Sequence, residues 1–469
     1  MAKSPHIAFI SSAGFTHLFP IIEFSKRLLQ LHPDLHITCI IPILETLPSS
    51  SESYLQTLPP NIHSILLPPV HKHDMPENVH RGAQVQLTVT LSLPYIRQEL
   101  KSLISRSSVV ALVTDCFAHE ALDFAAEFNV LSYMYLPYAA MIFSLYFCNS
   151  MKLGDSEFRD APESVEIPPC IPVRGREIAD SLYDGLVRKQ FFERARKLRL
   201  IDGVLFNSFL ELETETIRNL QEETKGKKPL IYPVGPIIQS RSNNETNGSN
   251  LDCLTWLNNQ PPKSVVYVSF GSGGTLSQDQ LNELASGLEL SGKKFLWVVR
   301  PPSNDVSAAY LSASSENPLD FLPNGFLERT KDQGLVVPSW APQIPILSHN
   351  SVGGFLSHCG WNSTMESIVH GVPIIAWPLF AEQKMNAAFL TDCLKVALWP
   401  EPNQRGMVER DEIAKVIIRF MEDEEGRQVR KRMEDLKDSA ANALKEDGSS
   451  TQTLSQFAID LRDRTRGNY

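Results

Sequence analysis

Short apolar runs alternate along the chain with stretches whose apolar residues recur every three or four positions. The runs Ile7–Ser11, Ile37–Ile41, Ile65–Leu67, Val109–Val113, Leu131–Leu136 and Val204–Phe206 read as buried strands. Phe19–Leu29 reads as an amphipathic helix with Pro20 in its first turn, and a second helix is predicted from Ala118 to Phe128. Residues 239–250 carry no apolar side chain and have the composition of a linker. The alternation then restarts. Val265–Phe270, Phe295–Val299, Leu335–Val337, Gly353–Leu356 and Pro373–Trp377 read as strands, and Ser277–Leu290 as a helix. Strand–helix alternation of this kind predicts an α/β chain with two doubly wound parallel sheets facing a cleft. Ligands in such sheets lie at the carboxyl ends of the strands. Residues 301–320 read as a surface loop, and 422–447, dense in both charge signs, as a solvated helix.

Composition narrows the classes. The 469 residues suggest two or three domains, and 42% hydrophobic with 21% charged residues is ordinary for a globular protein. A net charge of −10 disfavours nucleic acid and anionic membrane surfaces as partners. Seven scattered cysteines, an odd number without a CxxC pair, disfavour a disulfide framework and a zinc site, and fit a reducing compartment. The first 22 residues read as strand and helix start, not as a signal peptide, and no run of 18 apolar residues exists. The expectation is a cytoplasmic monomer without a membrane span.

Two segments carry candidate binding chemistry. Gly271-Ser272-Gly273-Gly274 follows a strand and precedes Ser277 and Gln280, which fit a capping box; a glycine-rich turn feeding a helix N-terminus can cradle a phosphate or be only a tight connection. Residues 340–383 read WAPQIPILSHNSVGGFLSHCGWNSTMESIVHGVPIIAWPLFAEQ. This segment closely resembles the signature box of plant secondary-product UDP-glycosyltransferases in length, in its WAPQ opening, its HCGWNS centre and its closing Gln. The resemblance extends along the whole chain. FGSGGTLSQDQLNELASGLELS and WPLFAEQKMNA look most like the hydroquinone glucosyltransferase (arbutin synthase) group.

The resemblance implies a GT-B fold. Its parts would be an acceptor-binding Rossmann-like domain over 1–238, the linker 239–250, a UDP-sugar-binding domain over 251–445, and a C-terminal helix within 446–469 returning to the first domain. It implies UDP-glucose as donor substrate, a small phenolic acceptor, and no cofactor or metal. The UDP-sugar residues implied are Ser272, Trp340, Ala341, Gln343, His358, Trp361, Asn362, Ser363, Glu366, Glu382 and Gln383. The residue types agree. Trp340 offers a flat face on which uracil can stack. Gln343 can bond the base edge or the ribose. Trp361, Asn362 and Ser363 open a helix whose N-terminus suits a diphosphate. Glu366 can accept from ribose hydroxyls, although Ser363 and Glu366 also spell a capping box. Glu382 and Gln383 suit vicinal sugar hydroxyls, each of which donates and accepts; their plainer reading is an exposed helix start.

His17 follows the first strand and Asp115 ends the strand Val109–Val113 at the same edge. The family's catalytic His and Asp fall on these two positions. Phe15, Phe117 and Tyr138 are candidate acceptor-lining residues from their proximity to that pair, with core packing as the alternative. Two departures bear on the sugar's pose. Thr16 replaces a common Gly, and Tyr138-Ala139-Ala140 stands where many relatives have Thr or Ser after the preceding Pro. The function implied is inverting transfer of glucose to a phenolic hydroxyl. C- or N-glucosylation, and sugar-nucleotide binding without catalysis, are the alternatives.

Overall fold

The computed structural model describes residues 4–149, 164–167, 171–174, 185–239, 248–308 and 316–465, except 48 and 78. The chain divides into two units: it passes to the second after Gln239 and returns to the first at Asn442.

The first unit is built on a seven-stranded parallel sheet. Its strands are β1 (Pro5–Ile10), β2 (His36–Leu44), β3 (Ile62–Val70), β4 (Ser108–Asp115), β5 (Leu131–Leu136), β8 (Gly203–Phe206) and β9 (Leu230–Pro233), in the order β3-β2-β1-β4-β5-β8-β9. A small antiparallel hairpin, β6 (Ser164–Ile167) and β7 (Ile171–Arg174), precedes β8. All six residues of β1 are buried, as a strand covered on both faces requires. After β1 the chain runs outward to β2 and β3, then returns to place β4 on the other side of β1. The order therefore reverses between β1 and β4. Outside their carboxyl ends such a sheet leaves a crevice.

Local chemistry shifts two predicted boundaries. Gly14, at φ 107, ends the turn after β1, and its carbonyl accepts the His17 N–H at 3.2 Å and the Leu18 N–H at 3.3 Å. Helix α1 (Phe15–Leu31) thus begins four residues before the predicted start. Pro20 lies in its second turn, and His17 belongs to the helix rather than to the turn before it. Asp115 likewise caps the segment after β4. A 3₁₀ stretch, Cys116–Leu122, followed by the short helix Asp123–Glu127, replaces the single predicted helix. Helix α2 (Gly185–Lys197) lies just before β8 in the chain.

The second unit carries a six-stranded parallel sheet: β10 (Val265–Ser269), β11 (Lys294–Val299), β12 (Gly334–Pro338), β13 (Val352–Ser357), β14 (Ile374–Ala376) and β15 (Ala397–Leu398), in the order β12-β11-β10-β13-β14-β15. Its reversal falls between β10 and β13. Helix α3 (Trp361–His370) follows β13. A helix starts already at Gly248, inside the predicted linker, whose residues 240–247 lie outside the described ones. The predicted loop 301–320 lies partly outside them too. Within 422–447 the helix Glu424–Ala443 buries only a stripe, including Val429, Met433 and Ala440.

Helix α4 (Ser449–Thr465) closes the core of the first unit. Its Phe457 is fully buried, edge-on to Tyr133 (5.0 Å between ring centres) and Tyr232 (5.6 Å), with Phe24 beyond at 6.3 Å. Tyr232 donates its hydroxyl to Asp460 on the same helix. Phe457→Ala should destabilise the first unit by about 3–5 kcal/mol, the usual range for removing a buried aromatic ring. The midpoint of denaturant unfolding, followed by Trp-independent far-UV signal, measures this; a shift below 1 kcal/mol would mean that the helix is not part of the core.

Candidate active site

The reversal point of the first sheet gathers a polar cluster. β1 and β4 pair in register with Ile10 opposite Thr114, so Ser11-Ser12 and Asp115 emerge side by side. Asp115 is fully buried. Its Oδ2 accepts the Ser12 N–H at 2.7 Å and the Ser12 hydroxyl at 2.5 Å, and its Oδ1 accepts the N–H groups of Phe117 (2.8 Å) and Ala118 (2.9 Å). Four donors hold the carboxylate in one orientation. The His17 Nδ1 lies 3.7 Å from Oδ2, close enough for strong charge coupling but beyond hydrogen-bond length.

Burial is the largest influence on His17 and lowers its pKa below the ordinary imidazole value; Asp115 pulls the other way, and the Arg194 guanidinium adds to the lowering. At neutral pH His17 is therefore an uncharged imidazole able to take a proton. Phe117 stands edge-on to the His17 ring, with 5.0 Å between ring centres, and packs with Tyr138 against one apolar cluster. Both are half-buried. The side chains of Phe15 and Thr16 lie outside the described residues.

The second sheet repeats the arrangement at its own reversal point. Gly271–Gly274 follows β10, and His358 follows β13. The His358 ring is wedged against two glycines: a Cβ on Gly271 would come within 2.5 Å of it, and one on Gly360 within 2.4 Å. Any side chain at either position would displace the ring. Burial, with Arg300 nearby, pushes the His358 pKa down to about 4, so it too is neutral. Thr275 and Leu276 separate the glycine turn from the helix, whose start agrees with the expected one. The helix Gln278–Ser291 starts four residues after Gly274, capped by Ser277. The Gln280 amide does not complete the capping box; it pairs with both main-chain groups of Val408.

Arg300, which the sequence did not single out, follows β11 and donates from Nη1 to the Ser272 carbonyl. Its only signal in the sequence is a cation directly after an apolar strand. Ser272 is exposed, as is Trp340, at 51% of its surface. Trp361, by contrast, is buried, so its indole has no open face and only its main chain is available at the N-terminus of α3.

Gln343, Ser363 and Glu366 meet in one network. The Gln343 Nε2 donates to Ser363 Oγ at 2.8 Å and to Glu366 Oε2 at 2.7 Å, and the Tyr267 hydroxyl approaches Gln343 Oε1 at 3.4 Å. The cap of α3 is Gly360, without any side-chain cap, so the capping reading of Ser363 and Glu366 fails. The pair faces Gln343 because a half-buried carboxylate needs donors. Burial raises the Glu366 pKa to about 7, against the smaller lowering by Gln343.

Gln383 opens the helix Gln383–Ala388 but is buried, not exposed, and its Oε1 already accepts the N–H groups of Leu379 (2.8 Å) and Phe380 (3.0 Å). Its amide can therefore offer only its N–H donors. Glu382 beside it, raised in pKa by burial, can offer acceptors.

Asn362 lies half-buried in the first turn of α3, and Ala341 is buried beside the helix Gln343–Leu347. Among the described residues one group, His119, Glu120 and Glu193, brings three possible metal ligands within 4.8 Å of one another. Arg194 and Lys197 oppose a cation there; burial above all, and then these two charges, lower the His119 pKa to about 3. Among the described residues no helix is long and apolar enough to cross a membrane.

Two Rossmann-like units, each with its polar groups gathered where the strand order reverses, define a GT-B enzyme of the nucleotide-sugar transferase class. Residues 233–398 match the family model for UDP-glucoronosyl and UDP-glucosyl transferase. The hydroquinone glucosyltransferase of Rauvolfia serpentina is 46% identical, with 99% of each chain covered. The structure of Phytolacca americana UGT2 complexed with UDP-2fluoro-glucose and pterostilbene matches with a TM-score of 0.88 at 42% identity, covering 98% of this chain and 100% of that one. A UDP-glucosyltransferase from Polygonum tinctorium capable of glucosylating indoxyl, in complex with 3,4-dichloroaniline, matches with a TM-score of 0.89 at 43% identity, covering 98% and 99%. The chain belongs to the UDP-glycosyltransferase family and is a UDP-glycosyltransferase.

The half-buried Glu366 has a consequence for stability. A carboxyl whose pKa is raised in the folded state binds its proton more tightly folded than unfolded. Its contribution is full below pH 4.5 and is lost as pH rises through about 7. Across that window the second unit should lose up to about 3 kcal/mol from this group. Glu366→Gln should flatten the slope. Urea unfolding at several pH values compares the two; parallel pH profiles would contradict a half-buried, proton-binding Glu366.

Proposed function

We propose that this enzyme transfers glucose from UDP-glucose to the hydroxyl of a small phenolic acceptor by a single inverting displacement. The observation that carries the reading is the half-buried, neutral His17 beside the four-fold-anchored Asp115 carboxylate. The names and bound molecules of the relatives support a phenolic or similar aromatic acceptor and a UDP-sugar donor.

In this mechanism the first unit activates the acceptor. A phenol has a pKa near 10 and a free imidazole one near 6.5, so full proton transfer before attack would cost about 5 kcal/mol. Burial of His17 makes prior transfer costlier still. His17 therefore takes the proton as the acceptor oxygen bonds to the anomeric carbon. As the imidazolium forms, Asp115 stabilises it; the 3.7 Å separation shortens most easily on the His17 side, because four donors fix the carboxylate.

The second unit holds the donor. Trp340 stacks on the uracil, and the Gln343–Glu366 pair meets the ribose. Glu366, held near neutrality, ionises fully when ribose hydroxyls donate to it. The diphosphate lies against the N-terminus of α3 and His358, with the Arg300 charge alongside. These groups, rather than a metal ion, offset the charge that grows on the leaving UDP. At the sugar, Gln383 donates and Glu382 accepts.

His17→Ala tests the reading. On a phenol of ordinary acidity kcat should fall at least about 10²-fold, with UDP-glucose affinity retained. On a nitrophenol, which ionises unaided, the loss should be much smaller. Stopped assays with both acceptors, and calorimetric titration with UDP-glucose, supply the numbers; an undiminished rate on the ordinary phenol would place the base elsewhere.

A further inference from the structure

The acceptor side of the proposed reaction contains a cation that the protein leaves largely unanswered. Arg194 projects from α2, and its guanidinium lies over the Phe117 ring, 4.8 Å from the ring centre. On the same ring, His17 approaches edge-on with centres 5.0 Å apart. The base and the guanidinium thus share one aromatic neighbour. Both lie within 5.0 Å of that ring's centre, a span on the scale of a small hydroxyphenyl acid.

A guanidinium has five N–H donors in a planar fork and is always charged. Among the described residues the protein engages one of them, and loosely: Nη2 donates to the Gln86 Oε1 at 3.4 Å. The Arg194 Nε is buried and has no hydrogen-bond partner among the described residues. Glu120 and Glu193 are near neighbours, yet neither forms an ion pair with Arg194. Glu120 takes the Gln86 Nε2 at 3.3 Å instead. The other cation nearby, Lys197, is satisfied by Asp123 at 2.6 Å. A buried N–H left unmade is costly, and a charged one more so. Stacking on Phe117 answers part of the charge but none of the remaining donors. The terminal edge, Nη1 with Nη2, is the one left to take a planar oxyanion through two parallel hydrogen bonds, with Nη2 exchanging its loose bond to Gln86.

We propose that Arg194 is the anion anchor of the acceptor subsite, receiving the carboxylate of an aromatic hydroxy acid whose hydroxyl lies at His17. The inference rests on the reading of His17 as the base of a phenol-directed transferase and adds the acceptor class. The ring of the acceptor lies along Phe117. Arg194 sets which acceptors bind and how far they slide toward the base, and takes no part in bond making.

The test uses acceptors whose charge changes while their phenol acidity does not. 3-(4-Hydroxyphenyl)propanoate and its primary amide meet this need, because the saturated spacer insulates the ring; 4-hydroxyphenylacetate and its amide give a shorter pair. With UDP-glucose and the full-length wild type, kcat/KM for the better acid should exceed that of its amide by about tenfold or more, as expected for charge-assisted hydrogen bonds. In Arg194→Met the acid-to-amide ratio should collapse toward one, and in Arg194→Lys, which keeps the charge but not the fork, it should fall between. The ratio is internal to each variant, so partial loss of folded protein does not affect it. Calorimetric titration of each acid and amide into wild type and variant, with UDP present, measures the same preference without turnover. A wild type that favours neither acid over its amide in rate or in affinity would overturn the proposal, and so would an acid preference that survives Arg194→Met. If acids bind through Arg194 but no phenol is ever glucosylated, the anchor stands and the transferase chemistry fails.

Discussion

One buried carboxylate organises the proposed acceptor end of this enzyme. Asp115 ends a central strand and collects the main chain of two segments, Ser12 after β1 and Phe117-Ala118 after β4. A carboxyl group without exposure needs hydrogen-bond partners in place of its water, and here four donors supply them. The two bonds from Ser12 fix the turn after β1, beyond which His17 lies in the first turn of α1, and the two from Phe117 and Ala118 fix the segment after β4. His17, Asp115 and the Phe117 ring are thus positioned around one carboxylate. Because both Asp115 oxygens are occupied, the carboxylate cannot swing away from His17, and the imidazole ring is the member of the pair that adjusts.

The second unit solves a similar problem with neutral groups. Tyr267, Gln343, Ser363 and Glu366 form a chain in which an amide donates to a carboxyl that burial keeps close to half-protonated at neutral pH. Such a group is poised: hydroxyl donors arriving from a ribose would tip it to the anion at little cost. His358 is held neutral between two glycines that admit no side chain. In both units the polar groups sit where the strand order reverses, which is where a parallel sheet leaves space and unpaired main-chain groups.

Much of this was legible in the chain. The strands are continuous apolar runs because they are covered on both faces, and every predicted run appears among the two sheets with boundaries shifted by a few residues. The helix starts were less legible. Gly14 begins α1 through its backbone conformation, and Asp115 caps a 3₁₀ segment, and neither event leaves a periodic apolar trace. The signature residues were visible as types, but their partners were not. Gln343 turning to Glu366, Gln383 spending its oxygen on Leu379 and Phe380, and the burial of Trp361 all depend on contacts distant in sequence or on local chain reversal. Arg194 and Arg300 were missed for the same reason. A lone cation on a helix or after a strand looks like surface until the structure shows what it faces.

The proposed transfer is a direct attack by an acceptor oxygen that His17 deprotonates, with no glycosyl-enzyme intermediate. The stereochemistry of the product reports on this step. Proton NMR of the glucoside formed from α-linked UDP-glucose, recorded early in the reaction, gives the anomeric coupling without further modelling. A single displacement yields the β-anomer alone, with the large diaxial coupling. An α-glucoside as the initial product would require either a double displacement or front-face attack, and would contradict the role assigned to His17 and Asp115.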